Sequence, residues 1–441
     1  MTKGVPANPT LPETGLRPVG ILVLGLVLIF AWADRMLITV AIEAIRHDFL
    51  LSDLEMGLLL GPAFAVFYAA FALPIARWAD IGHRPRIITL ALSMWSVMTL
   101  LSGIAWNFVQ LFIARVGVGI GEAGAHPPVH SLVADYCPPD KRGRAATVLN
   151  FCVVVGAFIG LSLGGFLVAQ LGWRWAFVSF GIAGILAAGL ALWTLEEPRR
   201  STRVPAVREL FDTEGRAAIR TLFGKRSFVA MLVSMSIYSI VDLGASSFTV
   251  PFLIRSHGLD ESSAGTIYGS AVLAGSVAGT IVAGFLVDKL ARRHVKWLLL
   301  LPAICFVINA PIRIVAFQTN DTLLFAASYF LIVAMMCINN PATYAATYGI
   351  AGLGRIATAT AVVGLATNVI GLGLGPVFVG FLSDLLEPRF GVESLRQALT
   401  GSAAITLIAG LCLMRGARYV ATDFEGPRPD VASDQAALRA Q

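Results

Sequence analysis

Along the chain, long apolar runs alternate with short polar breaks, and the runs are as long as a bilayer is thick. A hydrocarbon core of about 30 Å takes roughly 20 apolar residues per helix. Twelve segments reach that length: 19–45, 55–79, 86–106, 108–134, 145–170, 174–195, 228–254, 264–288, 296–317, 322–346, 356–385 and 396–415. Helices are the open-ended way to satisfy a backbone in lipid, so the pattern predicts an all-α membrane protein with no strands. The longest polar break, 196–227, divides the twelve into six and six. It predicts an N-terminal six-helix bundle over 1–195, a linker over 196–227, a second bundle over 228–415 and a tail over 416–441. The tail is polar and is expected to be disordered. Within the linker, 207–223 can form a short amphipathic helix on the membrane surface.

Composition agrees and excludes other classes. Of the 441 residues, 14% are charged; a water-exposed globular domain carries about 25%. The net charge of +6 raises the question of nucleic acid, but the basic residues sit in short loops between apolar runs. That placement is a topology signal and not a nucleic-acid footprint. One set of loops holds Arg84, Arg86, Lys141, Arg142, Arg144, Arg199 to Arg226, Lys289, Arg292, Arg293, Lys296 and Arg355. The other holds mainly Arg46, Arg174, Arg255, Arg389 and Arg396. The richer set is therefore expected in the cytoplasm together with both termini. The polar, Pro-rich start, Met1 to Arg17, shows no cleaved signal pattern, so the first membrane helix is expected to direct targeting. Five cysteines in mostly apolar runs form no disulfide framework and no metal motif, and read as small core residues.

The two halves repeat. Ala76-x-x-x-Asp80-x-x-x-Arg84 follows the second segment, and Gly284-x-x-x-Asp288-Lys289-x-x-Arg292-Arg293 follows the eighth. Gly143-Arg144-Ala145-Ala146-Thr147 opens the fifth, and Gly354-Arg355-Ile356-Ala357-Thr358 opens the eleventh. The fifth then carries Gly156, Gly160, Gly164 and Gly165, and the eleventh Gly371, Gly375, Pro376 and Gly380. Three matches in one order at nearly one offset mark repeats in the same orientation.

Charges inside apolar helices are costly and are read first as functional. Asp34 and Arg35 lie mid-span in the first segment; Arg115 and Glu122 are two turns apart on one face of the fourth. Together they are expected to form one proton-coupling network, with Glu122 as the carboxylate that loads and releases the proton. The plain alternative for Asp34 and Arg35 is a structural ion pair. Gly119-x-Gly121-x-x-Gly124 is formally a dinucleotide fingerprint, but it lies inside an apolar helix and follows no strand, so no cofactor is expected. His126 and His130 share helical spacing; with Pro127 and Pro128 between them and no third ligand, they predict no metal site. They read as packing residues, or as a pH-sensitive pair at the outer mouth.

These residues resemble the major facilitator superfamily over nearly the whole chain. Asp80 to Arg84 and Gly284 to Arg293 look like its signature loop motif, the first copy departing at Ala76 and His83. Arg115-x-x-x-Gly119-x-Gly121 matches its Arg-Gly-Gly motif. Gly156 to Gly165 resembles its glycine-rich antiporter motif, with Leu161 where proline is usual, and Gly172-Trp173-Arg174-Trp175 is typical of it. Asp34-Arg35, Gly119-Ile120-Gly121-Glu122-Ala123 and the exit Asp135 to Pro139, followed by Arg142-Gly143-Arg144, make the spinster-like group the most similar. The resemblance implies twelve helices in two pseudo-symmetric bundles that rock around a central cavity. It also implies proton-linked transport of an amphipathic or lipid-like molecule, in a bacterial inner membrane. In that family the first, fourth, seventh and tenth helices line the cavity. Tyr238, Asp242, Asn339 and Tyr344 are then candidate substrate contacts, with helix–helix hydrogen bonding as the alternative. Arg313 is expected near the outer end, snorkelling. Asp80, Arg84, Asp288, Arg292 and Arg293 are expected to form a cytoplasmic gate. Other classes fit less well. No GxxxxGK[ST] points to a nucleotide-driven pump, and no nucleophile–base pair or metal set points to a membrane enzyme. A channel or receptor has no need of duplicated gate motifs. An exporter of drugs or organic anions is the alternative transport reading.

Overall fold

The computed structural model describes residues 18–198, 213–352 and 354–426, and among them it holds helices and no strand. All twelve expected segments are helices. The first half contains α1 (Pro18–Phe49), α2 (Asp53–Leu60, resumed after Gly61 as Pro62–Ile81) and α3 (Arg84–Gly103). It continues with α4 (Phe108–Glu122, resumed as His126–Tyr136), α5 (Arg142–Leu171) and α6 (Trp173–Thr194). The second half contains α7 (Arg226–His257), α8 (Glu261–Arg293), α9 (Trp297–Gln318) and α10 (Thr322–Ala351). It ends with α11 (Ile356–Leu365 and Gly371–Phe390, joined by a π-helical turn at Ala366–Ile370) and α12 (Ser394–Ala417). Among the described residues, eleven stretches are long and apolar enough to cross a membrane, and the last, Thr358–Ala417, has 60 residues. At 1.5 Å per residue it would run roughly 90 Å, three bilayer cores. It folds back at Gly391–Glu393 into α11 and α12, which makes twelve crossings. An even number puts the start of α1 and the end of α12 on one side. That side also carries Arg84, Arg142, Arg292 and Arg355, and is called the basic face here; the other is the far face.

Glycine lets the helices meet backbone to backbone, and it does so at matching places in the two halves. A Cβ at Gly156 or Gly160 of α5 would stand 2.6 Å from the Ile29 carbonyl oxygen or 2.3 Å from that of Ala33, both in α1. In the second half a Cβ at Gly375 of α11 would stand 2.6 Å from the Ile240 carbonyl oxygen of α7. The repeated glycines of the fifth and eleventh segments thus serve one purpose, close packing onto the first helix of each half.

The cores show how the halves sit. One buried cluster joins both halves, from Leu37, Ile42 and Phe177 to Phe248, Phe252 and Phe325. Toward the basic face it splits. Leu28, Trp95 and Val129 belong to a core of the first half, while Phe228, Phe306 and Ile350 belong to one of the second. One shared core at the far face and two separate cores at the basic face describe a V whose mouth is on the basic side.

Two expectations change. The expected surface helix of 207–223 is described only as Thr213–Phe223; 207–212 lie outside the described residues, as do 1–17 and 427–441. Leu222 of that helix is fully buried in the second-half core. The tail is not free from 416 onward. Asp423 accepts hydrogen bonds from the Ser227 backbone (2.8 Å) and hydroxyl (2.7 Å) at the start of α7. Phe424 lies over Gly349, and Glu425 pairs with Lys225 at 2.6 Å and with Arg355. Those contacts, the Lys225 hydrogen bond foremost, hold the Glu425 carboxyl below its ordinary range. Polar composition suggested disorder, but the tail's charges are complementary to helix ends it can reach.

Candidate functional site

Between the halves lies a cavity of about 380 Å³, walled by α1, α2, α4 and α5 on one side and by α7, α8, α10 and α11 on the other. Most of its wall is apolar, including Phe64, Val118, Val272, Ile332 and Met336. That is the usual character of a small-molecule site, with few polar groups to set orientation.

Of the four residues expected to form one network, the structure brings together two pairs. Arg35 donates to Glu122 at 2.5 Å, and both contribute to the cavity wall. The Arg35 side chain is 18% exposed and Glu122 is fully covered. The guanidinium stands 4.4 Å from the Phe64 ring centre and 4.8 Å from that of Trp32, so aromatic faces hold its charge as well. Asp34, the next residue, turns away from the cavity. It accepts from the Thr99 hydroxyl at 2.6 Å and lies 3.8 Å from Arg115. Arg115 also donates to Ser102 at 3.0 Å. Successive residues on a helix point about 100° apart, so one acid–base dipeptide feeds two separate pairs. Glu122 ends the first part of α4. The chain turns at Ala123–Ala125 and resumes at His126, with Pro127 and Pro128 in the new first turn.

The second half contributes a buried ion pair that sequence reading missed. Arg313 is not at the outer end: it is fully buried, and it pairs with Asp242 while donating to Asn309 at 2.7 Å. Asp242 is in the cavity wall. Tyr238 is not; its hydroxyl donates to Asp242 at 3.3 Å and its ring stacks on Phe306 at 3.9 Å. Asn339 is buried away from the cavity, accepting from Thr343 at 3.0 Å. Tyr344 is exposed outside it. Asn340, which does line the cavity, lies one turn from Tyr344 on the same face of α10, so that face runs from the cavity toward the basic mouth. Asn368, in the π-helical turn of α11, lines the cavity too. Such turns often occur at functional sites.

On the basic face, Arg84 is bound within its own half, to Glu197 at 2.5 Å and to Asp135 at 2.6 Å. Asp288, Arg292 and Arg293 are exposed and make no ion pair among the described residues. The Asp80 side chain lies outside those described. Among the described residues, Arg84, Asp288, Arg292 and Arg293 are therefore not joined across the halves in this open-mouthed arrangement.

The halves are joined by an ionic cluster at the far face. Arg255 of α7 donates to both oxygens of Glu43 at 2.9 Å and to Asp53 at 2.8 and 2.9 Å. Asp384 of α11 accepts from the backbone nitrogens of Asp53 and Leu54, each at 2.9 Å, and Ser383 donates to Asp53 at 2.6 Å. The signal for this cluster was in the sequence: Glu43 is an acid inside the first apolar run. Its partner Arg255 reads in the sequence as a loop charge.

A repeated six-helix architecture around a central cavity defines a membrane transporter of the twelve-helix kind. The Major Facilitator Superfamily family model matches residues 24–368 and 244–439, and the chain belongs to that family. An MFS-type efflux pump of Mycolicibacterium smegmatis is 32% identical over 92% of this chain and 94% of its own. A probable L-galactonate transporter of Escherichia coli is 24% identical over 94% and 92%. The crystal structure of a bacterial homologue of the human lysosomal transporter Spinster, inward-facing and unoccupied, superposes with a TM-score of 0.83. It is 30% identical and covers 93% of this chain and 99% of that one. The chain is thus a spinster-like transporter and not an enzyme.

Proposed function

We propose that the protein is a proton-coupled secondary transporter working by alternating access, that it moves an amphipathic or lipid-like small molecule, and that its basic face is cytoplasmic in a bacterial inner membrane. One observation carries this reading: a covered carboxylate, Glu122, whose hydrogen-bond partner Arg35 is itself part of the wall of a mostly apolar cavity. Protonating Glu122 breaks the charge pair and frees the guanidinium; deprotonating it restores the pair. A group whose partner changes with its proton can bias the two arrangements of the halves, which is the physical requirement for coupling. The apolar wall favours an amphipathic cargo over a sugar. Asp242 is neutralised by Arg313 and so offers polarity there without net charge. The basic loops support a cytoplasmic assignment for the open mouth. An efflux pump among the relatives supports export as the direction. A second reading, an organic anion as cargo, is favoured by the partial exposure of Arg35 and by the acid named for the Escherichia coli relative.

The test is uptake into proteoliposomes of a panel of labelled lysolipids, amphiphilic cations and organic acids under an imposed pH gradient. Glu122→Gln is expected to abolish gradient-driven uptake while the protein stays folded in detergent. Gradient-driven uptake at the wild-type rate in Glu122→Gln refutes the coupling. Uptake confined to organic acids selects the second reading.

A further inference from the structure

Glu122 needs a path for its proton, and the cavity is a poor one. Glu122 contributes to the cavity wall, but its side chain exposes no surface and its carboxyl is bonded there to the Arg35 guanidinium. A proton leaving that way approaches a fixed positive charge at close range, which Coulomb repulsion opposes. On the other side, toward the basic face, α4 presents His126 one turn on and His130 two turns on. This order is fixed by the far end of the helix. Arg84, at the basic-face start of α3, donates to Ser131 at 2.8 Å and pairs with Asp135 at 2.6 Å, which puts the end of α4 at the basic face. The two histidines therefore lie between Glu122 and the basic mouth, and not at the outer mouth as the sequence suggested.

Three further features fit a conducting path. Burial falls in order: Glu122 is buried, His126 half-buried and His130 exposed. The two rings are 6.3 Å apart between centroids, near enough for one water to bridge their nitrogens, and neither ring has a hydrogen-bond partner among the described residues. The helix is also broken where the path begins. The nitrogens that would bond to the carbonyls of Ala123 and Gly124 in an unbroken helix belong to Pro127 and Pro128, and carry no hydrogen. The carbonyls of Ala123 and Gly124, beside Glu122, therefore lose the donors an unbroken helix would give them.

We propose that His126 and His130 form a proton relay between Glu122 and the basic face. The inference rests on the reading of Glu122 as the proton site. In the release direction the O–H bond of Glu122 breaks. The neutral imidazole of His126 takes the proton on one ring nitrogen, through water, and gives up the proton of the other; His130 does the same, and the proton ends on bulk water. Both histidines finish neutral, and Glu122 finishes as a carboxylate paired with Arg35. The charged and titratable groups around the path are Arg35 and Asp34 of α1, Tyr68 of α2 and Arg115 of α4 at the Glu122 end, with Arg35 also acting on His126. Arg84 and Asp135 stand at the exit.

The test needs no substrate. After a rapid pH jump on the purified full-length protein, the carboxylic C=O infrared band that Glu122→Gln removes is followed in time. His126→Ala, His126→Gln and His130→Ala are expected to slow its appearance by about a hundredfold or more, the scale of losing a positioned proton-transfer group. Free imidazole in the buffer is expected to restore the rate in the two alanine variants. Unchanged rates in all three variants overturn the relay, and so does slowing that imidazole does not relieve, because that is what a packing role produces. If Glu122→Gln removes no band that titrates, the proton site itself is misassigned, which separates failure of the underlying reading from failure of the relay.

Discussion

Removing Arg255 should open the far face. In the structure its guanidinium satisfies Glu43 and Asp53 at once, and these carboxylates are 2% and 4% exposed. Arg46 is the other guanidinium at hand, at the longer distances of 3.4 and 3.6 Å, and the His47 ring lies 3.4 Å from Glu43. Breaking a buried ion pair by deleting one partner costs about 3–5 kcal/mol, because the other charge is left covered and unpaired. With Arg46 remaining, the lower end, about 3 kcal/mol, is the appropriate figure. The penalty applies only while the far face is closed; once it opens, water solvates both carboxylates. Since about 1.4 kcal/mol is a factor of ten, Arg255→Ala should shift the ratio of far-face-open to far-face-closed molecules by roughly a hundredfold. Leu50 and Val392 are 89% and 72% exposed, and sit in the far-face turns of opposite halves. Spin labels there, read by double electron–electron resonance, should show a longer distance population in Arg255→Ala. Arg255→Lys should fall between, since an ammonium cannot make the same fork to two carboxylates. A distribution identical to the parent's, in protein that melts normally, refutes the lock.

Three other outcomes follow from named contacts. Asp242→Asn leaves Arg313 charged and fully buried and should lower stability by about 3–5 kcal/mol, while Asp242→Asn with Arg313→Met should recover most of it; thermal melting in detergent decides. Gly349→Ala puts a methyl 2.0 Å from the Phe424 ring, so it should undock the tail at a cost of about 1–3 kcal/mol, and Phe424→Ala in the same molecule should relieve it. Asp288→Asn should leave the basic-face-open arrangement unchanged, because Asp288 is exposed and without an ion pair there among the described residues, yet should deplete the closed one; resonance distances between basic-face loops in both states check this, and an unaltered ratio leaves Asp288 as a topology signal only.

Much of the fold could be read from the chain. Twelve apolar runs of bilayer length, split six and six and carrying matching motifs, require a repeated helical membrane protein, since lipid leaves a backbone so few ways to satisfy itself. That Asp34, Arg35, Arg115 and Glu122 need partners was legible for the same reason, because an ion inside an apolar helix must find a partner or a cavity, but which of them would pair was not. The repeated glycines were legible as helix contacts, though not which helices they would join.

What the chain alone left open was direction and distance across helices. Asp34 and Arg35 are neighbours in sequence, and only the packing of α3, α4 and α2 around α1 sends one to Thr99 and Arg115 and the other to Glu122. Tyr238, Asn339 and Asn340 all lie in helices of the right half, but the rotation of each helix decides which side chain reaches the cavity. Glu43 and Asp53 meet Arg255 across some 200 residues of chain, and only in the arrangement of the halves that closes the far face. Periodicity and hydropathy are properties of one segment and survive without its neighbours. A salt bridge between two halves is a property of their relative position, which the sequence encodes only through the summed packing of every helix between them.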